Sequence, residues 1–102
     1  MFTADTLEGQ TILITGGGSG LGLGMANKFA ALGSNIAICG RTEKKLQKAV
    51  DEITGESNGI KAEYYVADVR NYERIEEMMG EIITDFGTMT GLVNNAAGNF
   101  LS

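Results

Sequence analysis

Thr11-Ile12-Leu13-Ile14-Thr15-Gly16-Gly17-Gly18-Ser19-Gly20-Leu21-Gly22 decides the fold. Its first five residues are β-branched or apolar, bounded by Gln10 and Gly16, and read as a short buried strand. The glycines then open into a predicted helix from Gly20 to about Leu32. Leu21, Met25, Phe29 and Leu32 fall on one face at helical spacing, and Gly33 is a natural C-terminal cap. A loop between strand and helix brings backbone N–H groups and the positive end of a helix dipole to one point, which suits a bound phosphate. Glycine is needed because a Cβ would block the approach of a pyrophosphate. The spacing is Gly-x-x-x-Gly-x-Gly, from Gly16, Gly20 and Gly22, preceded by Thr15. No Gly-x-Gly-x-x-Gly occurs, and no Gly-Lys-Ser/Thr, so a triphosphate P-loop is not indicated. The bland alternative is a flexible turn; the strand before and the helix after weigh against it.

Outward from this loop the chain alternates. Residues 35–39 read as a second strand. Thr42 then caps a helix with Leu46, Val50 and Ile53 inside, closed by Gly55. Residues 60–67 read as a third strand with weaker patterning. Asn71 caps a third helix with Ile75, Met79, Ile82 and Phe86 as its core stripe, and Gly87 ends it. Residues 91–95 make a fourth strand. The pattern β-α-β-α-β-α-β predicts an α/β fold: a parallel sheet with right-handed crossovers in strand order 3-2-1-4, the first half of a Rossmann-type doubly wound nucleotide fold. No internal repeat, low-complexity segment or linker interrupts it. With 102 residues the chain fits one domain.

Such folds place an acid about 20 residues past the glycines, where it binds the ribose hydroxyls of NAD. Here the second strand ends Cys39-Gly40-Arg41-Thr42-Glu43-Lys44-Lys45. Gly40 stands where the acid is expected, and Arg41 follows. A guanidinium pairs with a 2′-phosphate through two hydrogen bonds, whereas an acid repels it. We read this as a preference for NADP(H). The competing reading makes Arg41 a solvated loop charge and gives the ribose to Glu43. Asp68, at the end of the third strand, shares the carboxyl edge of the sheet and can accept from an adenine amino group; a simple turn Asp is the alternative.

Composition narrows the classes. Apolar residues are 43% and charged residues 21%, ordinary for a globular domain. The net charge of −5 comes with no basic cluster, so no nucleic-acid partner is expected. No apolar run nears the ~20 residues that cross a bilayer, and the N-terminus lacks the pattern of a leader. One cysteine rules out an internal disulfide and fits a reducing, cytoplasmic setting. Histidine is absent, which removes Ser-His catalysis and most zinc sites.

Thr15–Gly22, Asp68-Val69 and Asn94-Asn95-Ala96-Ala97-Gly98, in this order and spacing, resemble the short-chain dehydrogenase/reductase family from about Leu7 onward. The resemblance implies that Gly16, Gly17, Gly18, Ser19, Gly20, Leu21 and Gly22 hold the pyrophosphate. It implies that Asp68 and Val69 contact adenine, and that Asn95 borders the cofactor. Three stretches are closest to the 2,4-dienoyl-CoA and enoyl-CoA reductases: Thr15–Gly22, Asp68-Val69-Arg70 and Asn95-Ala96-Ala97-Gly98-Asn99-Phe100. That subfamily implies an acyl-CoA substrate, with Arg70 on a CoA phosphate and Phe100 on the acyl or thioester end. Thr90 stands where the wider family commonly has Asp, and is expected to loosen the approach to the fourth strand.

Family members are more than twice as long, and their catalytic Ser, Tyr and Lys follow the Asn-Asn-Ala-Ala-Gly segment. No Tyr-x-x-x-Lys exists here, since Tyr64, Tyr65 and Tyr72 are followed four residues on by Asp68, Val69 and Glu76. No catalytic residue is assigned, and the chain is expected to be the NADP(H)-binding part of an oxidoreductase. The alternatives are the corresponding part of a carbonyl reductase or alcohol dehydrogenase, a dinucleotide-binding module without catalysis, and, with least support, a purely structural protein. A fourth strand with an unpaired edge is expected to drive self-association.

Overall fold

Side chains of a strand alternate between two faces, and a parallel sheet is normally covered on both. The computed structural model describes residues 7–95 and shows this arrangement. Its elements are β1 (Thr11–Thr15), α1 (Gly20–Ala31), β2 (Asn35–Gly40), α2 (Glu43–Glu56), β3 (Ala62–Val66), α3 (Tyr72–Phe86) and β4 (Gly91–Val93). All pairings are parallel and the order is β3-β2-β1-β4, as the sequence predicts. Ile14, Ile36 and Ile38 pack under α1 and α2, with Ala26, Ala30, Leu46, Ala49 and Ile53. Their neighbours Leu13, Ala37 and Cys39 point the other way, to Met78 and Ile82 of α3. This two-sided burial explains why β1 and β2 read as continuous apolar runs. β3 lies at an edge and exposes Glu63 and Val66, hence its weaker pattern.

The helices correct several expectations. In α1 the buried residues are Gly22, Ala26 and Ala30. Met25, Phe29 and Leu32 are half-buried, and Leu21 is 73% exposed. The small residues let α1 lie close on the sheet, so the larger ones are displaced to its flanks. In α2, Leu46 and Ile53 are buried as expected, Ala49 joins them and Val50 is half-buried. Gly55 lies inside the helix, which ends at Glu56 and is followed by Ser57 at the cap position, a buried residue whose N–H donates to the Ile53 carbonyl. Thr42 holds the cap position without a side-chain capping bond. The Asn71 side chain does cap α3, accepting from the Arg74 N–H at 3.1 Å, and Gly87 closes it with φ 84°. Met78 and Ile82 form the buried centre of α3, with Ile75, Met79 and Phe86 around them. β3 is shorter than the predicted 60–67, and β4 stops before Asn94.

Thr90 does not loosen β4. Its Oγ1 accepts from the Thr11 N–H at 2.8 Å, and its own N–H donates to the Thr11 carbonyl at 2.8 Å. A threonine hydroxyl thus supplies the acceptor that a carboxylate could supply. Thr11 is 1% exposed, so its N–H has no recourse to water. Thr90→Val should lower stability by about 1–3 kcal/mol, the cost of an orphaned buried donor. Thr90→Asp, which keeps an acceptor, should stay nearer wild type. Urea midpoints test this, and equal midpoints for all three proteins would refute it.

Candidate functional site

Parallel strands deliver all their C-terminal ends to one rim, and open α/β sheets bind ligands there. The residues that follow β1, β2 and β3, together with Asn95 beyond β4, meet in a cleft of about 630 Å³. It is lined by Gly16, Gly18, Ser19, Gly20 and Leu21 after β1, by Gly40, Arg41, Thr42, Lys45 and Leu46 after β2, by Ala67, Asp68, Val69 and Arg70 after β3, and by Asn95. Nearly every site residue expected from the sequence is therefore brought together. Gly17 and Gly22 are not on the lining. Phe100 lies outside the described residues.

The glycines divide by what surrounds them. Gly16 and Gly20 have φ of 66° and 59°, which side chains rarely adopt, and they turn the chain between β1 and α1. Gly17 is packed down, since a Cβ there would sit 2.5 Å from Ile38 Cγ2. A Cβ on Gly22 would fall on the Gly16 carbonyl and lie 2.9 Å from Asn95 Nδ2. Gly17 and Gly22 therefore set the loop's shape, while Gly16, Gly18 and Gly20 leave its surface bare. At the start of α1, Ser19 makes no side-chain capping bond and the first turn carries no acid. First-turn amides have no partner within a helix, so these present donors and a positive dipole end to the cleft.

Asn95 acts on the loop from across the sheet. Its Nδ2 donates to the Gly16 carbonyl at 3.3 Å. Beneath it the Thr15 hydroxyl lies 3.2 Å from Asn94 Oδ1 and 3.4 Å from the Val93 carbonyl, donating toward both. The asparagine pair thus ties the loop to the end of β4.

The far end of the cleft is charged. Arg41 follows Gly40, and Lys45, in the first turn of α2, stands over the glycine loop, its Cβ 3.6 Å from where a Gly18 Cβ would be. Leu46 forms the floor, within 3.3 Å of a Cβ placed on either Gly18 or Gly40. Glu43, the competing ribose partner, is not on the cleft lining; it accepts from the Tyr64 hydroxyl at 2.9 Å. Asp68 accepts from the Arg70 backbone N–H at 2.9 Å, from Nε at 3.1 Å and from Nη2 at 2.8 Å. These Arg70 bonds hold its carboxyl well below the usual carboxylate range, with a smaller contribution from Arg41. Cys39, whose carbonyl accepts from the Gly16 N–H at 2.9 Å, is buried, and burial pushes its thiol up to about 11. It is an inert thiol at neutral pH.

Sequence reasoning missed Thr42, Lys45 and the Leu46 floor. A capping threonine and a Lys-Lys pair at a helix start resemble a solvated face, and only the turn of α2 back over Gly18 distinguishes them.

A parallel β3-β2-β1-β4 sheet with a glycine loop, a bare helix start and a long cleft on its carboxyl rim defines a Rossmann-type nucleotide fold. The profile of the short chain dehydrogenase family matches residues 10–101, and the chain belongs to that family. It is 42% identical over 101 residues to a peroxisomal 2,4-dienoyl-CoA reductase of Arabidopsis thaliana, covering 99% of this chain and 33% of the relative. It is 43% identical over 90 residues to a D-beta-hydroxybutyrate dehydrogenase of Cupriavidus necator, covering 88% and 34%. The solved structure of an NAD+-bound xylitol dehydrogenase superposes with a TM-score of 0.81 at 30% identity, covering 85% of this chain and 33% of that one. The chain spans about a third of the length of these relatives. Among the described residues no helix is long and apolar enough to cross a membrane.

Proposed function

We propose that this chain is the NADP(H)-binding part of a short-chain oxidoreductase that reduces a carbon–carbon double bond of an enoyl- or 2,4-dienoyl-CoA. One observation carries the cofactor reading. The cleft end beyond β2 has no acid on Gly40 and instead gathers Arg41 and Lys45 beside the start of α2. Two cations and a helix N-terminus favour a phosphate over a bare ribose hydroxyl pair.

The residues fit the rest of a dinucleotide. Gly16, Gly18, Ser19, Gly20 and Leu21 offer amides to the pyrophosphate, on a loop shaped by Gly17 and Gly22. Asp68 and Val69 border the adenine, and Asn95 the inner end. When bound, the nicotinamide supplies the hydride, while these residues hold it in place and provide no proton. The acyl-CoA substrate rests on the Arabidopsis relative's name and on the Asp68-Val69-Arg70 and Asn99-Phe100 stretches. The Cupriavidus relative favours a second reading, oxidation of a hydroxy acid or reduction of its ketone. Among the described residues β4 pairs with β1 alone and Leu92 is 52% exposed, and this flank is the surface we assign to self-association. A cytoplasmic setting is in keeping with Cys39, a buried free thiol.

Calorimetric titration of the chain with NADPH and NADH tests the cofactor reading. NADPH should bind at least roughly tenfold more tightly, the return on one charge-assisted hydrogen bond. Equal affinity, or tighter NADH, would overturn it.

A further inference from the structure

Asp68 and Arg70 both line the cleft, and their side chains are joined in a two-pronged pair. The pair is solvent-facing, with 69% of the Arg70 side chain and 31% of the Asp68 side chain exposed. Exposed ion pairs contribute little to stability. What this one does is fix direction. A lone aspartate on a loop samples several rotamers, whereas here the Arg70 backbone N–H and both guanidinium bonds specify one. The short turn that makes this possible is closed by the Asn71 N–H, which donates to the Asp68 carbonyl at 2.9 Å.

An ionised carboxylate accepts about four hydrogen bonds. Arg70 uses both positions on Oδ1 and one on Oδ2, which leaves one on Oδ2. Charge points the same way. An unpaired acid would repel the phosphates of a dinucleotide lying in the same cleft, and the guanidinium cancels that charge while leaving an acceptor in place. We propose that Arg70 is a positioning residue, which holds the Asp68 carboxylate so that Oδ2 accepts from the exocyclic amino group of adenine. This rests on the dinucleotide reading above and gives Arg70 a role toward cofactor rather than toward a CoA phosphate. The same bonds hold the Asp68 carboxyl below the usual carboxylate range, as a guanidinium in direct contact must.

The test compares NADPH with its reduced hypoxanthine analogue, in which a carbonyl replaces the adenine amino group. The full chain and its Asp68→Ala, Arg70→Ala and Arg70→Lys variants are titrated with both ligands at pH 7. Wild type should prefer NADPH by roughly tenfold, since the analogue sets a carbonyl oxygen against the carboxylate. Asp68→Ala and Arg70→Ala should both bring the preference to within about twofold, and Arg70→Lys should restore part of it. A general loss of fold would weaken both ligands alike and leave their ratio unchanged. Full preference retained by Arg70→Ala overturns the proposal, as does a wild type that binds both ligands equally. A wild type that binds neither ligand overturns the dinucleotide reading itself, and is told apart because in the other failures NADPH still binds.

Discussion

Gly22→Ala should unfasten the glycine loop, lowering stability by about 3 kcal/mol, the upper end of what overpacking costs. It should also weaken NADPH binding by roughly a hundredfold. The size of the effect follows from what a Cβ would strike. At Gly22 the obstacle is the Gly16 carbonyl, with the Asn95 amide behind it. A backbone oxygen cannot change rotamer, so either α1 slides or the loop gives up its turn at Gly16. The second outcome also breaks the Asn95 tether, because that same carbonyl is the acceptor. The loop then loses both its shape and its anchor to β4, and the amides no longer converge. Gly24→Ala is the control. Gly24 lies in the same helix, a Cβ there would meet nothing within 4 Å, and its φ is not left-handed. Alanine there should stabilise by roughly 0.5–1 kcal/mol through helix propensity alone. Urea denaturation and calorimetry read both quantities. A Gly22→Ala protein as stable as wild type, binding NADPH within threefold, would show that the loop is not held in this way.

Much of the fold is legible in the sequence because its signals are local. β1 and β2 are short apolar runs, α1 and α3 each have a left-handed glycine just past their last turn, and the alternation fixes a parallel sheet. The rim residues are legible for the same reason, since each one follows its strand directly. What escapes depends on packing between elements. The buried face of α1 is hidden because leucine and phenylalanine outweigh alanine in any hydrophobic pattern. Close approach to the sheet rewards the smallest residues, so Gly22, Ala26 and Ala30 turn inward and Leu21 goes to the cleft. The glycine run reads as one motif, yet Ile38 and the Gly16 carbonyl give Gly17 and Gly22 a steric task and leave the others to the ligand side. Lys45 is invisible without the fold of α2 over Gly18. The Asp68–Arg70 pairing needs the turn that closes at Asn71, which no residue spacing discloses.

Removing both cations at the far end of the cleft should invert the choice of cofactor. Arg41→Ala and Lys45→Ala each delete one charged donor that lines the end of the cleft we assign to the 2′-phosphate, and a hydrogen bond to a charged group is worth about 1.5–3 kcal/mol. Each single change should therefore weaken NADPH by roughly tenfold to a hundredfold. The double variant should lose less than the product, because two neighbouring donors on one phosphate are coupled. NADH lacks the phosphate and should change by no more than about threefold in all three, which is the signature that separates recognition from damage. Salt gives a second reading. Arg41 and Lys45 are exposed, so their contribution is screened over about 8 Å at physiological ionic strength. Raising salt should erode NADPH affinity in wild type more than in the double variant. Gly40→Asp completes the inversion, for it returns an acid to the end of β2, where it repels the phosphate and accepts from ribose hydroxyls. Its Cβ would meet Leu46 Cδ2 at 3.3 Å, a flexible methyl that can give way, so the fold should tolerate it. Equal losses of NADPH and NADH across the series would mean that Arg41 and Lys45 serve the loop's structure, and would remove the observation on which the proposed preference for NADP(H) rests.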